Sequence, residues 1–323
     1  MEIATVVYKQ YLASRKGNRR KIWSFVRKVL IKTRGDPTCS LLIHGRRLKL
    51  PLSHSLPDYL KQYRFYDQLP QRISVYIHQA QGRLNCIDVG ANIGDTLACF
   101  YKDDTDIFLA IEPNPKFNKL LVENWGGNKN VTVVSDVCSS ISEEGTFIIQ
   151  EKKGTASIVQ TENGITLNRK SLDEIVDDHS FARNANVLKI DTDGHDFEVI
   201  AGAKRLLSRN LPVVLFECYD SENTNYVEDC LRTLKLLKQI GYNYFLLYSN
   251  FGNLMGRYSL SDLTPFRNLL FFQLTSDFCY FDILIMKDED LFPFYKAEIN
   301  FFVDKMSNKS LQRTAIAFAV TPQ

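Results

Sequence analysis

The sequence lacks a long hydrophobic run and has few of the residues that mark special classes of chain. Its 323 residues include only 16 Gly and 10 Pro, too few for a collagen-like or low-complexity chain. Its hydrophobic fraction of 45% is too high for a disordered chain. The most apolar stretch, residues 269–286, is interrupted by Gln273, Asp277 and Asp282, so it does not reach the ~18 apolar residues of a spanning helix. We expect one large globular domain or two small ones.

The cysteines show no spacing typical of a disulfide framework or a zinc site. There are seven, an odd number, and no two form a CxxC pair. Most lie in or beside apolar runs, which predicts reduced, buried thiols. The N-terminus shows no compact apolar segment followed by a small-residue cleavage site. These patterns predict a cytoplasmic protein without a secretory signal.

Positive charge is concentrated near the N-terminus. Residues 1–35 carry ten Lys and Arg and a single acid, whereas the rest of the chain carries 30 Lys and Arg and 36 acids. Apolar residues at i, i+3, i+4, i+7 and i+8 from Ile22 predict a helix with basic residues over much of its remaining surface. We therefore treat residues 1–45 as a basic amphipathic N-terminal extension.

Two interpretations of this extension stay open. Residues 19–32 could lie on an anionic membrane surface, which would make the protein peripheral to the membrane. Alternatively the helix docks on the body of the protein with its charges in solvent, which is the commoner arrangement. Nucleic acid is not expected as a partner, because the extension lacks a recognisable reader motif and the body is acidic.

Short apolar runs alternate with helical stretches between residues 46 and 290. Their continuity is typical of strands buried on both faces of a parallel sheet. The predicted strands are 85–89, 107–111, 131–134, 187–190, 213–216, 244–248 and 281–286. The sequence therefore predicts an α/β fold with a seven-stranded, mostly parallel sheet, and we expect the tail 291–323 to pack on this domain.

Two connections in this region are longer than a simple crossover. Between the third and fourth strands we predict an antiparallel β-hairpin insertion, made of 146–150 and 165–168, followed by a short helix at 171–176. The last two strands are joined by an aromatic connection of roughly 30 residues, long enough to form a lid or a substrate wall.

Acidic residues follow the predicted strands, at the edge where open parallel sheets bind ligands. The first turn reads Asp88-Val-Gly-Ala-Asn-Ile-Gly-Asp95. Gly90 and Gly94 allow a sharp turn and a close approach to a ligand. Asn92, however, replaces the middle glycine of the dinucleotide fingerprint, and Asp88 and Asp95 would repel phosphate. A cation with a zwitterionic end, such as S-adenosylmethionine, fits this turn better.

Three further residues are candidates for contacts with an adenosine group. Glu112 lies 22 residues after Gly90, where a carboxylate can accept hydrogen bonds from ribose hydroxyls. Asn114 precedes Pro115 as a helix N-cap at the same strand end. Asp136 follows the third strand and is placed to accept a hydrogen bond from the adenine amine.

A second polar cluster follows the strand at 187–190. Asp191, Asp193 and His195 alternate and could ligate a divalent ion, although their spacing matches no strong metal motif. A metal is therefore possible but not favoured. Asp196 fits the alternative role of an acid in the first turn of a helix. Asp191 and His195 are better placed to face the cofactor cleft.

Taken together, these motifs resemble the FkbM-type S-adenosylmethionine-dependent methyltransferases. The residues that carry the resemblance are Asp88–Gly94, Ile111–Pro115, Ser171–Glu174, Leu188–Gly194 and Glu198–Gly202. The resemblance implies a Rossmann-like class I methyltransferase fold with an antiparallel last strand and S-adenosylmethionine as cofactor. It also implies O-methylation of a hydroxyl on a sugar, a polysaccharide or a related natural product. The positions that match the family's cofactor contacts are Gly90, Asn92, Gly94, Glu112 and Asp136.

An O-methyltransferase with a small-molecule or glycan acceptor needs a general base near the acceptor hydroxyl. His195 is the first candidate, because an imidazole titrates near neutrality. Asp191 is the second, as base or as orienter of the acceptor, and Glu217 could orient a hydroxyl. Two alternatives remain: an NAD-dependent Rossmann oxidoreductase, and a non-catalytic, membrane-associated protein with a nucleotide-binding fold.

Overall fold

One large mixed sheet flanked by helices forms the centre of the protein. The computed structural model describes residues 3–14, 17–152, 155–160, 165–219, 223–276 and 280–320. Within these ranges there are 14 β-strands and 13 α-helices. None of the described helices is long and apolar enough to cross a membrane.

The strands vary from three to ten residues in length. They are β1 (Thr38–Ile43), β2 (Arg46–Pro51), β3 (Asn85–Val89), β4 (Ile107–Ile111), β5 (Val131–Val134), β6 (Val137–Ser139), β7 (Glu143–Lys152), β8 (Thr155–Gln160), β9 (Ile165–Ser171), β10 (Val187–Ile190), β11 (Val213–Cys218), β12 (Tyr244–Ser249), β13 (Leu254–Ser259) and β14 (Phe281–Ile285).

The helices alternate with the strands of the large sheet and are also the first and last elements of the described chain. They are α1 (Ile3–Ala13), α2 (Asn18–Arg34), α3 (Leu56–Gln62), α4 (Leu69–Gln81), α5 (Asp95–Phe100), α6 (Pro115–Trp125), α7 (Leu172–Asp178), α8 (Asp196–Ala201), α9 (Lys204–Asn210), α10 (Tyr226–Ile240), α11 (Thr264–Leu274), α12 (Asp288–Asp304) and α13 (Gln312–Val320).

The large sheet has the order β13-β12-β14-β11-β10-β3-β4-β5 in the described chain. Neighbouring strands from β11 to β5 are parallel, and β14 is antiparallel to both of its neighbours. All seven predicted strands are present, and the expected Rossmann-like fold with an antiparallel last strand is confirmed. The strand order reverses between β3 and β10, so this edge is where a ligand site is expected.

Continuous apolar runs form these strands because the sheet is covered on both faces. All five residues of β3 are buried. Its alternate side chains enter two separate cores, with Cys86 in one and Ile87 and Val89 in the other. Six cysteines are free and buried, as predicted, and Cys279 lies outside the described residues.

The sheet also has an eighth strand that the sequence did not reveal. β13 pairs antiparallel with β12 at the edge of the sheet. It lies in the aromatic connection, together with α11, so that connection is ordered structure in its described part rather than one long loop. Its residues are mostly half-buried, which explains why no clear apolar alternation marks it.

The insertion is larger than the predicted hairpin. The expected antiparallel pairing is present, with Thr146 opposite Thr166 in β7 and β9. However, β8 pairs with β7 and β6 pairs with β9, which gives a four-stranded sheet. The short helix that follows is α7, and the Ser171 hydroxyl accepts a hydrogen bond from the backbone N–H of Glu174 (3.3 Å) as its N-cap.

The helices α1 and α12, near the two ends of the described chain, both have buried residues. The boundary proposed at residue 45 falls in the turn of the β1–β2 hairpin, whose strands pair from Thr38–Pro51 to Ile43–Arg46. In α12, the carboxylate of Glu298 is buried, and it forms an ion pair with Arg72 (2.6 Å) and accepts a hydrogen bond from the Tyr248 hydroxyl (2.8 Å). These contacts attach α12 to α4 and to β12.

Gly202 gives a test of how tightly the insertion packs on the domain. A Cβ at this position would lie 2.1 Å from the backbone oxygen of Ser139, so we expect Gly202→Ala to lower the free energy of unfolding by about 1–3 kcal/mol. Urea unfolding measures this. Gly127→Ala is the control, because a Cβ there meets nothing within 4 Å. Equal stability of the two variants would contradict the packing described.

Candidate functional site

Two adjoining cavities lie at the carboxyl ends of the central strands. The larger has a volume of about 270 Å³ and the smaller about 110 Å³. Their shared wall is formed by Tyr66, Thr96, Lys189 and Asp191. The sheet therefore places two binding spaces side by side at the point where its strand order reverses.

Most of the predicted site residues line these cavities. Those on the wall of the larger cavity are Gly90, Asn92, Asp95, Glu112, Asn114, Asp191 and His195. Glu217 lines the smaller cavity instead. The structure places Asp88, Gly94 and Asp136 outside both linings, and their role as cofactor contacts stays a prediction.

The glycine turn after β3 lies directly against the end of β10. Gly90 has a φ of +77°, and a Cβ there would lie 1.8 Å from the backbone oxygen of Asp191. Only glycine can adopt this conformation at so close an approach. Gly90 therefore brings the first turn and the Asp191 loop together.

A buried lysine fixes the same junction. The Lys189 ammonium lies 3.0 Å from Asp88 Oδ1 and 3.5 Å from Asp191 Oδ2, and it donates a hydrogen bond to the Gly90 carbonyl oxygen (3.1 Å). Burial opposes the charge of Lys189, but Asp88 and Asp191 outweigh it and raise its pKa. Asp88 is fully buried, so its role is to hold this lysine beneath the turn.

Gly94 and Asp136 have structural partners as well. A Cβ on Gly94 would lie 2.3 Å from the Trp125 indole nitrogen, which donates to the Gly94 carbonyl oxygen (2.9 Å). Gly94 therefore lets α5 pack against α6. Asp136 forms an ion pair with Lys170 (3.2 Å), while the three residues of β6 line the larger cavity in its place.

Glu112 is the best-defined carboxylate of the larger cavity. It is buried, and its two oxygens accept hydrogen bonds from the backbone N–H groups of Asn92 and Asn114 (both 2.8 Å). Burial raises its pKa to about 7. Asn114 caps α6, as predicted, because its side chain accepts from Lys116 N and Phe117 N. Each Glu112 oxygen keeps a second acceptor position for a ligand hydroxyl.

The segment before α3 also lines the larger cavity, and the sequence did not indicate this. Leu56 N–H donates to His54 Nδ1 (3.2 Å), so His54 Nε2 donates to Asn92 Oδ1 (3.3 Å). Burial lowers the pKa of His54 to about 4, which keeps its ring neutral. His54, Tyr59 and Tyr66 line the cavity but lie outside every motif, so only their position in the fold reveals them.

Asp196 connects the loop after β10 to the next strand. Its Oδ2 accepts from the Thr192 hydroxyl (2.7 Å), and its Oδ1 accepts from the backbone N–H of Glu217 (3.0 Å). Burial raises its pKa to about 6. It is the first residue of α8, as expected, but it also fixes Thr192 relative to Glu217.

The alternating acids after β10 do not form a metal cluster in the described part of the chain. The groups of three possible ligands found there are His44, Asp67 and Cys99, and His78, Asp103 and Asp106. Neither contains Asp191, Asp193 or His195. The loop instead turns sharply, with positive φ at Asp193 (52°) and Gly194 (107°).

The smaller cavity contains a pair of facing carboxyl groups. Glu217 in β11 lies directly opposite Asp282 in β14, on adjacent antiparallel strands, and both line the cavity. Burial raises the pKa of Glu217 and of Asp282 well above the usual range, and Asp191 and Asp196 raise both further. The sequence showed Asp282 only as an interruption of an apolar run.

The charges of the larger cavity suit a cationic ligand better than a phosphate. Its lining includes the acids Asp95, Glu112, Asp191, Asp193 and Glu198 and the cations Arg169 and Lys189. Arg169 forms ion pairs with Glu143 and Glu198 (2.8 and 3.3 Å), and Lys189 with Asp88 and Asp191. This donor and acceptor set fits the sulfonium, ammonium and ribose groups of S-adenosylmethionine.

The raised pKa of Glu112 predicts a pH dependence of stability. Its pKa rises on folding from 4.5 to about 7, so the folded state retains a proton that the unfolded chain releases between those pH values. The free energy of unfolding should therefore fall as pH rises through this window. In Glu112→Gln the fall should be smaller by on the order of 3 kcal/mol, measured by urea unfolding from pH 4 to 8.

Glu228→Gln is the control for this measurement, because Glu228 is exposed on α10. It should keep the pH dependence of the parent protein. An unchanged pH dependence in Glu112→Gln would show that the buried carboxyl does not titrate as described.

Comparisons with known proteins find similarity in the segment that holds most of this site. Residues 88–244 match the methyltransferase FkbM domain. The chain is 32% identical over 158 residues to the hexuronic acid methyltransferase AglP of Haloferax volcanii. That alignment covers 47% of this chain and 63% of the relative, so the chain spans less than two thirds of the relative's length.

Solved structures show more distant likenesses. One is the methyltransferase FkbM of Methylobacillus flagellatus, with 17% identity, a TM-score of 0.35, and coverage of 51% of this chain and 40% of that one. Another is Aeropyrum pernix fibrillarin in complex with S-adenosyl-L-methionine, with 13% identity, a TM-score of 0.34, and coverage of 63% and 66%. Likenesses at these TM-scores say nothing about chemistry. The segment that matches the methyltransferase FkbM domain, residues 88–244, carries Gly90, Glu112, Asp191 and Glu217.

Proposed function

We propose that the protein transfers a methyl group from S-adenosylmethionine to a hydroxyl of a sugar, a polysaccharide or a related natural product. The observation that carries this proposal is the shared wall, where Asp191 lines both the larger and the smaller cavity. The FkbM domain supports methyl transfer. The name of the related hexuronic acid methyltransferase supports a sugar acceptor.

The larger cavity would hold the methyl donor. When bound, S-adenosylmethionine supplies a methyl group activated by its sulfonium. Glu112 would accept hydrogen bonds from the ribose hydroxyls, while Asp95 and Asp191 would face the cationic groups. β6 would form the wall for the adenine, in place of the Asp136 side chain. Tyr66 and the segment that contains His54 would limit the access of water.

The same features disfavour the two alternatives. A dinucleotide needs space and positive charge for its pyrophosphate at the first turn. Here Asn92 occupies the turn, and carboxylates outnumber cations in the cavity. A non-catalytic scaffold would not need a second, acidic cavity on the other side of Asp191. Methyl transfer uses both spaces.

Asp191 is the proposed general base, in preference to His195. The Asp191 side chain is 50% exposed, so a hydroxyl in the smaller cavity can reach it. His195 lines only the larger cavity. The ion pair with the buried Lys189 ammonium orients the Asp191 carboxylate. Asp191 would take the proton from the acceptor hydroxyl as that oxygen accepts the methyl group.

Glu217 and Asp282 are proposed to bind the acceptor. Two carboxyl groups that face each other in a buried site cannot both ionise readily, so the pair retains a proton. Such a pair can both donate and accept hydrogen bonds with sugar hydroxyls. Asp67 and Asp191 add negative charge to the same cavity. We therefore infer that the acceptor sugar is neutral or cationic at the methylated ring, in contrast to a hexuronate.

Substitutions in the two cavities separate these roles. We expect Asp191→Asn to lower kcat by about 10²–10⁴, His195→Ala to lower it less than tenfold, and Glu217→Gln mainly to raise the KM of the acceptor. Transfer of labelled methyl from S-adenosylmethionine measures all three. Glu228→Gln on the exposed surface is the control. Full turnover in Asp191→Asn, or a greater loss in His195→Ala, would exclude Asp191 as the base.

The charge of the acceptor gives an independent prediction. In a screen of methyl glycosides that differ at one ring position, neutral and amino sugars should have a kcat/KM at least tenfold above that of the matching uronic acids, because the smaller cavity would repel a carboxylate. Glu217→Gln should reduce the ratio of kcat/KM between the neutral or amino sugars and the matching uronic acids. A preference of the parent protein for uronic acids would contradict the assignment of the smaller cavity.

A further inference from the structure

The helix α2 presents three of its apolar side chains to solvent, while Leu30 and Ile31 near its end pack against the core. Ile22, Phe25 and Val29 are 59%, 68% and 42% exposed, and none of the residues in α2 is buried. At 100° per residue these three side chains form one stripe along the helix. A helix that packs on its own domain normally buries such a stripe, so α2 has the opposite arrangement.

Two arginines and two apolar residues outside this stripe, Leu30 and Ile31, hold α2 on the body of the protein. Arg20 forms an ion pair with Asp58 (2.7 Å) and lies over the Tyr11 ring at 3.5 Å. Arg27 donates to the Leu52 carbonyl oxygen (2.7 Å) and also pairs with Asp58 (3.3 Å). Of the predicted apolar face, Leu30 packs on the body, whereas Ile22, Phe25 and Val29 face solvent. Rotating the stripe inward would break these contacts.

The remaining basic residues border the exposed stripe. Arg19, Lys21, Lys28 and Lys32 are exposed. Helical geometry places the three lysines along one edge of the stripe and Arg19 along the other. None of the four forms an ion pair with a side chain in the described part of the chain. The surface is therefore an apolar stripe between cations.

We propose that this surface, Ile22, Phe25 and Val29 with their flanking cations, docks on an anionic lipid membrane. Apolar side chains between cations match the acyl and headgroup layers of such a membrane. A second copy of the same surface would bring like charges together. A nucleic acid would leave the apolar stripe without a partner. Charge complementarity therefore selects the lipid surface, and this inference does not depend on the proposed methyl transfer.

The docking surface is connected to the larger cavity. Arg27 donates to the carbonyl oxygen of His54 (3.1 Å), and His54 lines that cavity. The face of α2 that points inward thus contacts the segment covering the cavity, while the outward face points to the membrane. Docking would therefore place the larger cavity near the lipid surface.

Co-sedimentation of the full chain with vesicles tests this proposal. The protein should bind equimolar phosphatidylglycerol and phosphatidylcholine vesicles at least tenfold more tightly than pure phosphatidylcholine vesicles. Two triple variants, Ile22→Ser/Phe25→Ser/Val29→Ser and Lys21→Glu/Lys28→Glu/Lys32→Glu, should each lose at least tenfold in binding. High salt should weaken the binding, because the charges are screened.

Two control variants make the test specific. Phe271→Ser/Phe272→Ser removes exposed aromatic residues on α11, which are 70% and 52% exposed. Lys204→Glu/Arg209→Glu reverses exposed charges on α9. Both should bind anionic vesicles as the parent does. Circular dichroism and the urea midpoint establish that every variant is folded.

A tryptophan placed at the centre of the stripe reports binding directly through its fluorescence, so this measurement does not rely on variants that lose binding. In Phe25→Trp, the emission should shift to shorter wavelength on addition of anionic vesicles, by more than in the parent protein. Absence of binding, equal binding to both vesicle types, or parent-like binding of both triple variants would overturn the proposal. So would a dimer in the absence of lipid that the apolar triple variant abolishes.

Discussion

The site depends on a single buried ammonium group, that of Lys189. It lies where the strand order of the sheet reverses, between Asp88 and Asp191, and it also binds the Gly90 carbonyl oxygen. A charge in this setting is tolerated only with its partners, and removing one partner of a buried ion pair typically costs about 3–5 kcal/mol. Because both cavities share Lys189 and Asp191, this contact sets the relative position of the two binding spaces.

The surrounding structure extends this constraint in two directions. Toward β11, Asp196 fixes Thr192 and the backbone of Glu217, so this wall of the smaller cavity is held by the same loop that carries Asp191. Toward the N-terminus, Asn92 binds His54, and His54 is held in turn by Arg27 of α2. The larger cavity is therefore lined in part by a segment that precedes the residues matching the FkbM domain, and that segment contacts α2, which carries the basic, apolar surface.

The sequence predicted the parts of the fold and site that depend on local pattern. Continuous apolar runs located the seven strands, Ser171 located a helix start, and the spacing of Gly90 and Glu112 located the larger cavity. It could not reveal contacts between distant segments. Asp88 is sequestered by Lys189, about 100 residues away, and Gly94 is required by Trp125. His54 and Asp282 belong to no motif, and the orientation of α2 depends on Asp58. In each case the deciding partner is set by tertiary packing.

Calorimetric titration of the full chain with S-adenosylhomocysteine, with NAD as the comparison ligand, tests the central claim most directly. The cavity at Lys189 should bind S-adenosylhomocysteine at one saturable site and should not bind NAD, because its carboxylates and Asn92 oppose a pyrophosphate. Saturable binding of NAD alone would contradict the interpretation of the glycine turn. Binding of neither ligand would contradict the assignment of the larger cavity to a methyl donor.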